Sequence, residues 1–506
     1  MEQLTGLDTS FLNMETRTTY GHVCGLAIFD PTSAKAPITL DEVKRVIRER
    51  LHLLPPFRRR LVEVPFGLDH PYWIEDPEFD LDFHVRHIGL PPPGDQQQLA
   101  ELVSRIVARP LDRSRPLWEL YLIEGLEGGL VGQLTKIHHC AVDGVSGAEI
   151  LTTLLDLSPE PRKIGAPRRA WRPEPVPTQI EMLMRGVWGI AGAPRKGFRL
   201  ARELVRNFPA LAASFGFEEV PGASLINQLL GRKPDPMLSE ASTPTPRTSF
   251  NDRISPHRRF AFGSVPLDAV KEIKTTFGVK VNDVILGICA GALRRYLQER
   301  HDLPRDPLIA MVPVSVRTGE QQGNFGDQVS AMTTSLHTHV EDPGQRLQAI
   351  HQSMRVAKEQ HEALPASLLQ DFAQFAPPAV AARAARVIAR ATVANLVDPP
   401  FNVVISNVPG PQFPIYSVGT RLVAIYPVAA INDGVGLNIT VQSYNGALDF
   451  GLVACRELIP DLWDLMDYIH GSLDELGEAA QKTASLVETK RNKRLKSSSN
   501  ACAKAD

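Results

Sequence analysis

What most restricts the folds open to this chain is an interruption in its patterning. From Ser158 to about Pro246 the apolar periodicity that marks helices and strands gives way to a Pro-rich, basic, weakly periodic stretch. A segment of that kind does not close a core of its own. The sequence therefore predicts two α/β halves joined by a long connector: residues 1–160, a connector at 161–246, a second half at 247–475, and a basic tail at 476–506 expected to be disordered. Proline supports the plan, since 41 of the 506 residues are proline, against roughly 5% in an average protein.

Both halves read as mixed α/β. In the first, Val43–Leu54 carries helical spacing between an Asp41-Glu42 start and a Pro55-Pro56 stop. Gln97–Ala108 places Leu99, Leu102, Val103 and Ile106 on one helical face ahead of Pro110. Strand-like runs follow at Leu117–Ile123 and Leu130–His139, then a helix from about Ser146 to Leu157. In the second half Asn282–Arg300 and Gln345–Gln360 read as helices, and Leu308–Val316, Phe401–Ser406 and Leu437–Tyr444 as strands.

Charge excludes a general nucleic-acid binder, because 55 Lys and Arg against 57 Asp and Glu leave a net charge of -2 and no broad basic field. Five scattered cysteines without a C-x-x-C pair argue against a disulfide framework or a zinc knuckle, and point to a reducing, cytoplasmic setting. Glu2, Asp8 and Glu15 at the N-terminus, with no apolar run behind a positive start, do not read as a secretory signal. No run of 18 apolar residues occurs, and the longest uncharged segment, Pro399–Thr420, carries five prolines and two glycines, which bars a spanning helix. The connector is the local exception in charge. Pro161–Arg206 holds eleven Lys and Arg against three Asp and Glu, interleaved with Met182, Leu183, Val187, Trp188, Ile190 and Phe198. Such a mixture fits a solvated linker helix or an anchor on an anionic membrane surface.

The chemistry concentrates in Leu134–Gly147, where His138 and His139 end an apolar strand and Asp143-Gly144 makes a turn before a helix. Successive strand side chains point to opposite faces, so one histidine works and the other supports it. An imidazole is a natural general base near neutral pH, worth typically ~10²- to 10⁴-fold in rate. Asp143 is close enough in sequence to orient that ring or to fix the loop, and Gly144 leaves room for backbone or substrate. A purely structural His-His pair remains the alternative. No G-x-S-x-G elbow, P-loop or G-x-G-x-x-G is present, so neither a serine nucleophile nor a nucleotide cofactor is implied, and four neighbouring residues rarely converge on one metal.

His138-His139-Cys-Ala-Val-Asp143-Gly144 matches the HHxxxDG signature of the CoA-dependent acyltransferases. Together with Leu7-Asp8, Phe11-Leu12 and Glu15, Pro116-Leu117-Trp118-Glu119, Asn282-Asp283-Val284, Pro313-Val-Ser-Val-Arg317, Gly323-Asn324 and Ser406-Asn407-Val-Pro-Gly-Pro411, it resembles the bacterial wax ester synthase / acyl-CoA:diacylglycerol acyltransferase family from Leu4 to about Gly471. The resemblance implies two chloramphenicol-acetyltransferase-like α/β domains with mixed sheets and an interfacial tunnel. It also implies acyl-CoA as co-substrate with no further cofactor, and diacylglycerol or a fatty alcohol as acceptor at a membrane or lipid-droplet surface. His139 would be the base, with no acyl-enzyme, and His138, Asp143 and Gly144 would shape its loop. Asn282 is a candidate oxyanion donor or a helix N-cap. Pro116, Leu117 and Trp118 would line the tunnel, unless Trp118 is plain core. Ser406 and Asn407 would close the site or cap the Pro-Gly-Pro turn, and Arg317 would pair with Asp143 or with a CoA phosphate. Tyr20-Gly21, where relatives often carry other residues before His22, departs from the family without, on this reading, touching the base. Competing readings are an acyltransferase for another acceptor and a catalytically silent lipid-binding homologue.

Overall fold

The computed structural model describes residues 1–34, 38–142, 147–167, 171–191, 245–315, 329–362 and 398–502. Asp143, Gly144, Arg317, Gly323 and Asn324 lie outside these residues, as does most of the connector.

Two six-stranded mixed sheets organise the described residues. The first contains β2 (His22–Asp30), β5 (Val85–Gly89), β6 (Trp118–Glu124), β7 (Val131–His138), β12 (Tyr416–Ser417) and β13 (Thr420–Val428), in the order β12-β13-β2-β7-β6-β5. Only β5 and β6 run parallel. The second contains β8 (Arg258–Pro266), β9 (Ile309–Ser315), β10 (Val329–Ser335), β11 (Val403–Val408), β14 (Leu437–Tyr444) and β15 (Ala447–Cys455), in the order β10-β9-β11-β14-β15-β8, with β11 parallel to both neighbours. A small sheet of β1 (Glu2–Gln3), β4 (Tyr72–Glu75) and β3 (Arg59–Val62) flanks the first.

The halves are not separate in space. β12 and β13 come from the second half of the sequence but complete the first sheet, a crossing that the expected division at residues 247–475 does not contain. No local period announces it, because a strand's partner is chosen by tertiary contacts.

Helices cover both faces of the first sheet. α2 (Leu40–Arg50) and α6 (Gly147–Leu154) bury Val43, Ile47, Ile150 and Leu154 with Leu120, Leu122 and Ile137. On the other face, α4 (Gln96–Val107), started by an Asp95-Gln98 capping box, packs Leu99, Val103 and Ile106 against Tyr121, Ile123 and Leu134. That cluster includes Phe260, Phe262 and Val453 of the second sheet, so one apolar core joins the halves. In the second half, α8 (Leu267–Phe277) leads into α9 (Val281–Glu299), whose Val284, Ile285, Ile288, Cys289, Ala292 and Leu293 have essentially no exposed surface. A helix apolar on nearly every side belongs in the middle of a core. α10 (Pro343–Glu362) and α11 (Leu462–Cys502) pack around it. No single described helix is long and apolar enough to cross a membrane.

The tail departs from expectation. α11 runs through it to Cys502, and Leu476 and Ala480 are buried in the core. Leu465, Ile469, Leu473, Leu476 and Ala480 continue one helical stripe, and packing of that stripe outweighs the polar composition of the residues beyond Ala480.

Candidate active site

Three short elements in the chain surround the histidine pair: α1 (Gly6–Met14), the residues entering β2, and the end of β7. α1 is fixed at its start by a Thr5-Asp8 capping box. β7 lies between β2 and β6, with His138 opposite His22. The strand ends at His138, and His139 opens the helical turn α5 (His139–Val142). This corrects the strand expected to reach His139: the rings are set apart by a change of backbone conformation, not by strand alternation.

The turn has a local cause. The Cys140 backbone N–H donates to His138 Nδ1 at 3.2 Å, closing the corner. His139 N–H donates to Gly21 O at 2.8 Å, and the Phe11 ring from α1 stacks on the His139 ring with centroids 4.6 Å apart and planes inclined by 12°. Burial, reinforced by the neighbouring His138, pushes His139 down to about 4. At pH 7 the ring is neutral and has a lone pair ready to accept a proton.

His138 is buried, and its Nε2 lies 3.2 Å from Glu15 Oε1, a polar contact too bent for a full hydrogen bond. Glu15 is otherwise saturated. Oε1 accepts Gly21 N–H at 2.8 Å, and Oε2 accepts two N–H groups of Arg113 at 2.7 and 3.2 Å. Burial alone would raise the Glu15 carboxyl, but His138, the Gly21 amide and Arg113 together hold it at about 2. A carboxylate is therefore fixed behind the histidine pair. Gly21 also touches the candidate base through its carbonyl, which overturns the expectation that the Tyr20-Gly21 departure stands clear of it. A Cβ at Gly21 would meet His138 Nε2 at 2.6 Å, so the two approach this closely only because residue 21 is glycine.

Asn282 does not cap its helix. Lys280 occupies the N-cap, its N–H donates to Asp283 Oδ2 at 2.9 Å, and Asn282 is the second residue of α9. Its Oδ1 accepts from Asn407 Nδ2 at 3.4 Å, joining the helix start to β11. Ser406 and Asn407 lie within β11 itself, and the amide of Gly410 beyond them donates to Ser443 Oγ at 3.0 Å, so the turn is held without either of them. The structure thus brings Asn282 together with Asn407, and His138 together with His139, but no hydrogen bond among the described residues links the two pairs. Trp118 has the placement of core. It stacks on Phe57 and His84 and donates Nε1–H to Phe57 O at 2.9 Å. Leu117 is buried, with its carbonyl accepting His138 N–H at 3.0 Å, and Pro116 is buried beside it.

Arg113 has no role that the sequence alone suggests, Gly21 stands out there only as a departure from the family, and Glu15 and Phe11 enter only as parts of a motif. Phe11 and Glu15 are spaced four apart across the end of a short helix, which places them on one side and is the one signal that they act together.

Comparison with known proteins points the same way. The family model for the wax ester synthase/diacylglycerol acyltransferase catalytic domain matches residues 4–285, and that for the WS/DGAT C-terminal domain matches residues 325–477. A Mycobacterium tuberculosis protein bearing the name diacylglycerol O-acyltransferase is 37% identical over 492 residues, covering 95% of this chain and 99% of its own. A second protein of that name from the same species is 35% identical over 486 residues, covering 95% and 91%. The solved wax ester synthase/diacylglycerol acyltransferase of Marinobacter aquaeolei VT8 matches with a TM-score of 0.66 at 30% identity, over 95% of this chain and 100% of that one. The first condensation domain of the calcium-dependent antibiotic synthetase shares the fold, with a TM-score of 0.51 at 13% identity over 95% and 96% of the two chains.

Proposed function

We propose, from the premise that this chain belongs to the wax ester synthase/diacylglycerol acyltransferase family and is an acyltransferase, that it moves a fatty acyl group from acyl-CoA to the free hydroxyl of diacylglycerol, forming triacylglycerol, with long-chain alcohols as a second class of acceptor. The observation that carries this reading is His139, a neutral ring presented on a helical turn and braced by Phe11 and Gly21.

The imidazole removes the proton from the acceptor hydroxyl as that oxygen bonds to the thioester carbonyl carbon. When the tetrahedral adduct collapses, the carbon–sulfur bond breaks and the imidazolium returns its proton to the CoA thiolate. No acyl-enzyme forms. The oxyanion needs a donor about 3 Å away. Asn282 suits that role, since Asn407 occupies its carbonyl side and its amide group, in the first turn of α9, lies where the helix dipole favours negative charge. Both substrates are proposed to meet in a passage between the halves, with donor and acceptor entering from opposite sides.

The working position is proposed to be cytoplasmic, peripheral to the inner membrane or on lipid droplets. The helix α7 (Gln179–Ala191) supports this. Met182 and Gly186 face the protein, while Ile180, Met184, Val187 and Trp188 are exposed, Trp188 at 74%. Beside it the turn after β3 holds out Phe66, 83% exposed with φ at 61°. Exposed aromatic and aliphatic side chains next to a basic stretch suit the interface of an anionic bilayer. Radiolabelled acyl-CoA offered with diacylglycerol and with a fatty alcohol tests the reaction. Labelled triacylglycerol is expected, and acyl transfer to neither acceptor would refute the proposal.

A further inference from the structure

Behind the histidine pair stands a carboxylate that takes no part in the proton transfers of the reaction. Glu15 follows the last residue of α1 and accepts hydrogen bonds from Gly21 and Arg113. Its remaining neighbour is His138 Nε2, at 3.2 Å. On the other side of that ring, Nδ1 accepts the Cys140 N–H. A nitrogen that accepts a backbone N–H carries no proton of its own, so the neutral ring must hold its proton on Nε2, the ring nitrogen nearest Glu15.

We propose that Glu15 is a positioning residue for acyl transfer: its carboxylate fixes the Nε2-protonated tautomer of His138, and that tautomer holds the strand-to-helix corner which presents His139. Each link is a direct contact. The negative charge 3.2 Å from Nε2 favours the proton on that nitrogen, and the Nδ1 lone pair then accepts Cys140 N–H. The corner so closed sets His139 under Phe11 with its amide on Gly21 O. Gly21 takes part from both sides, donating to Glu15 and accepting from His139. Arg113 keeps the carboxylate ionised and aimed, with its own second ion pair to Glu63 at 2.9 Å. The other titratable groups beside this network are Tyr20 and His22, the latter buried, held well below its ordinary value by that burial, and hydrogen-bonded through Nε2 to Val107 O at 3.0 Å. Neither supplies a second carboxylate.

This inference rests on the base role of His139, and the experiment separates the two. The protein is labelled with ¹⁵N-histidine, and the His138 ring signals are assigned by their loss in His138→Gln. The wild type is expected to show an Nε2-protonated tautomer of the neutral ring. Glu15→Gln, which keeps the size and loses the charge, is expected to change that tautomer and to lower kcat at least about tenfold with KM within about twofold. Glu15→Asp, which keeps the charge, is expected to retain more kcat than the Gln variant. Gly21→Ala, whose Cβ would press on the same Nε2 end of the ring, is expected to lower kcat as well. A wild-type His138 protonated on Nδ1, or a Gln variant with full kcat, would overturn the proposal. Should the Gln variant fail to accumulate as folded protein, the wild-type spectrum decides. Full turnover in His139→Ala would instead refute the underlying base role.

Discussion

Asp449 offers a sharp energetic test of how the two sheets are joined. It sits on β15 with no exposed surface, accepts Ser264 Oγ–H at 2.6 Å on Oδ1, and on Oδ2 accepts at 2.9 Å the backbone N–H of Ile425 on β13. No cation pairs with it among the described residues. Burial therefore wins over the two hydrogen bonds and pushes the carboxyl from 3.8 up to about 6. A carboxyl raised in the folded state binds more protons there than in the unfolded chain. Its stabilising contribution is complete below about pH 4 and is lost as pH rises through about 6. The displacement corresponds to roughly 3 kcal/mol of native-state cost at pH 7.5. Asp449→Asn removes the charge and can preserve both contacts: its carbonyl accepts Ile425 N–H, its amide donates to Ser264 Oγ, and the Ser264 hydroxyl turns to Tyr426, 3.2 Å away. The variant is expected to be more stable than wild type at pH 7.5, by about 1–3 kcal/mol after allowing for imperfect re-pairing, and equal or slightly less stable at pH 4.5. Urea unfolding followed by circular dichroism at both pH values measures the difference. A variant destabilised equally at the two pH values would refute the assignment of an uncompensated buried charge.

The rest of the structure makes further predictions. Arg50 Nη2 donates to both carboxylate oxygens of Asp156, at 2.7 and 2.9 Å, a buried pair that ties α2 to the end of α6. Arg50→Met should destabilise by about 3–5 kcal/mol, since Asp156 is then buried with the half-exposed Arg162 as its remaining cation among the described residues, and adding Asp156→Asn should recover part of the loss in thermal melts. With His139 held at about 4, kcat/KM should be flat from pH 6 to 8 and fall only towards pH 4, whereas an acid limb centred near 6.5 would contradict the neutral base. Phe66→Ser with Trp188→Ser should weaken flotation with vesicles containing anionic phospholipid while leaving the melting temperature unchanged. Equal flotation by wild type and variant would remove this surface from the membrane reading.

Elements governed by a single local period are legible in the sequence. The helix at Gln96–Val107 and the strand at Leu437–Tyr444 fall where their apolar spacing puts them. The HHxxxDG stretch and its order among the other motifs point to the family before any coordinate is known. What the sequence hides are features set by distant partners. The end of β7 is invisible because His138 itself caps the corner, and periodicity does not register a side chain turned back on its own backbone. The Glu15–His138 contact joins residues 123 positions apart, and no pattern along the chain brings them together. The entry of β13 into the first sheet is decided by its pairing with β2, where a register shift between Leu422 and Ala424 accommodates it. Asn282 reads as a cap by composition, but the cap falls two residues earlier, because the Asp283 side chain reaches back to Lys280 N–H.

The central claim is that His139 takes the acceptor's proton. It is tested most directly by single-turnover acyl transfer from labelled oleoyl-CoA to diacylglycerol with His139→Ala, alongside oleoyl-CoA binding measured by calorimetry. The account predicts a loss of roughly 10²- to 10⁴-fold in the transfer rate with binding within about threefold of wild type. A transfer rate within a few-fold of wild type in a folded His139→Ala protein would contradict it.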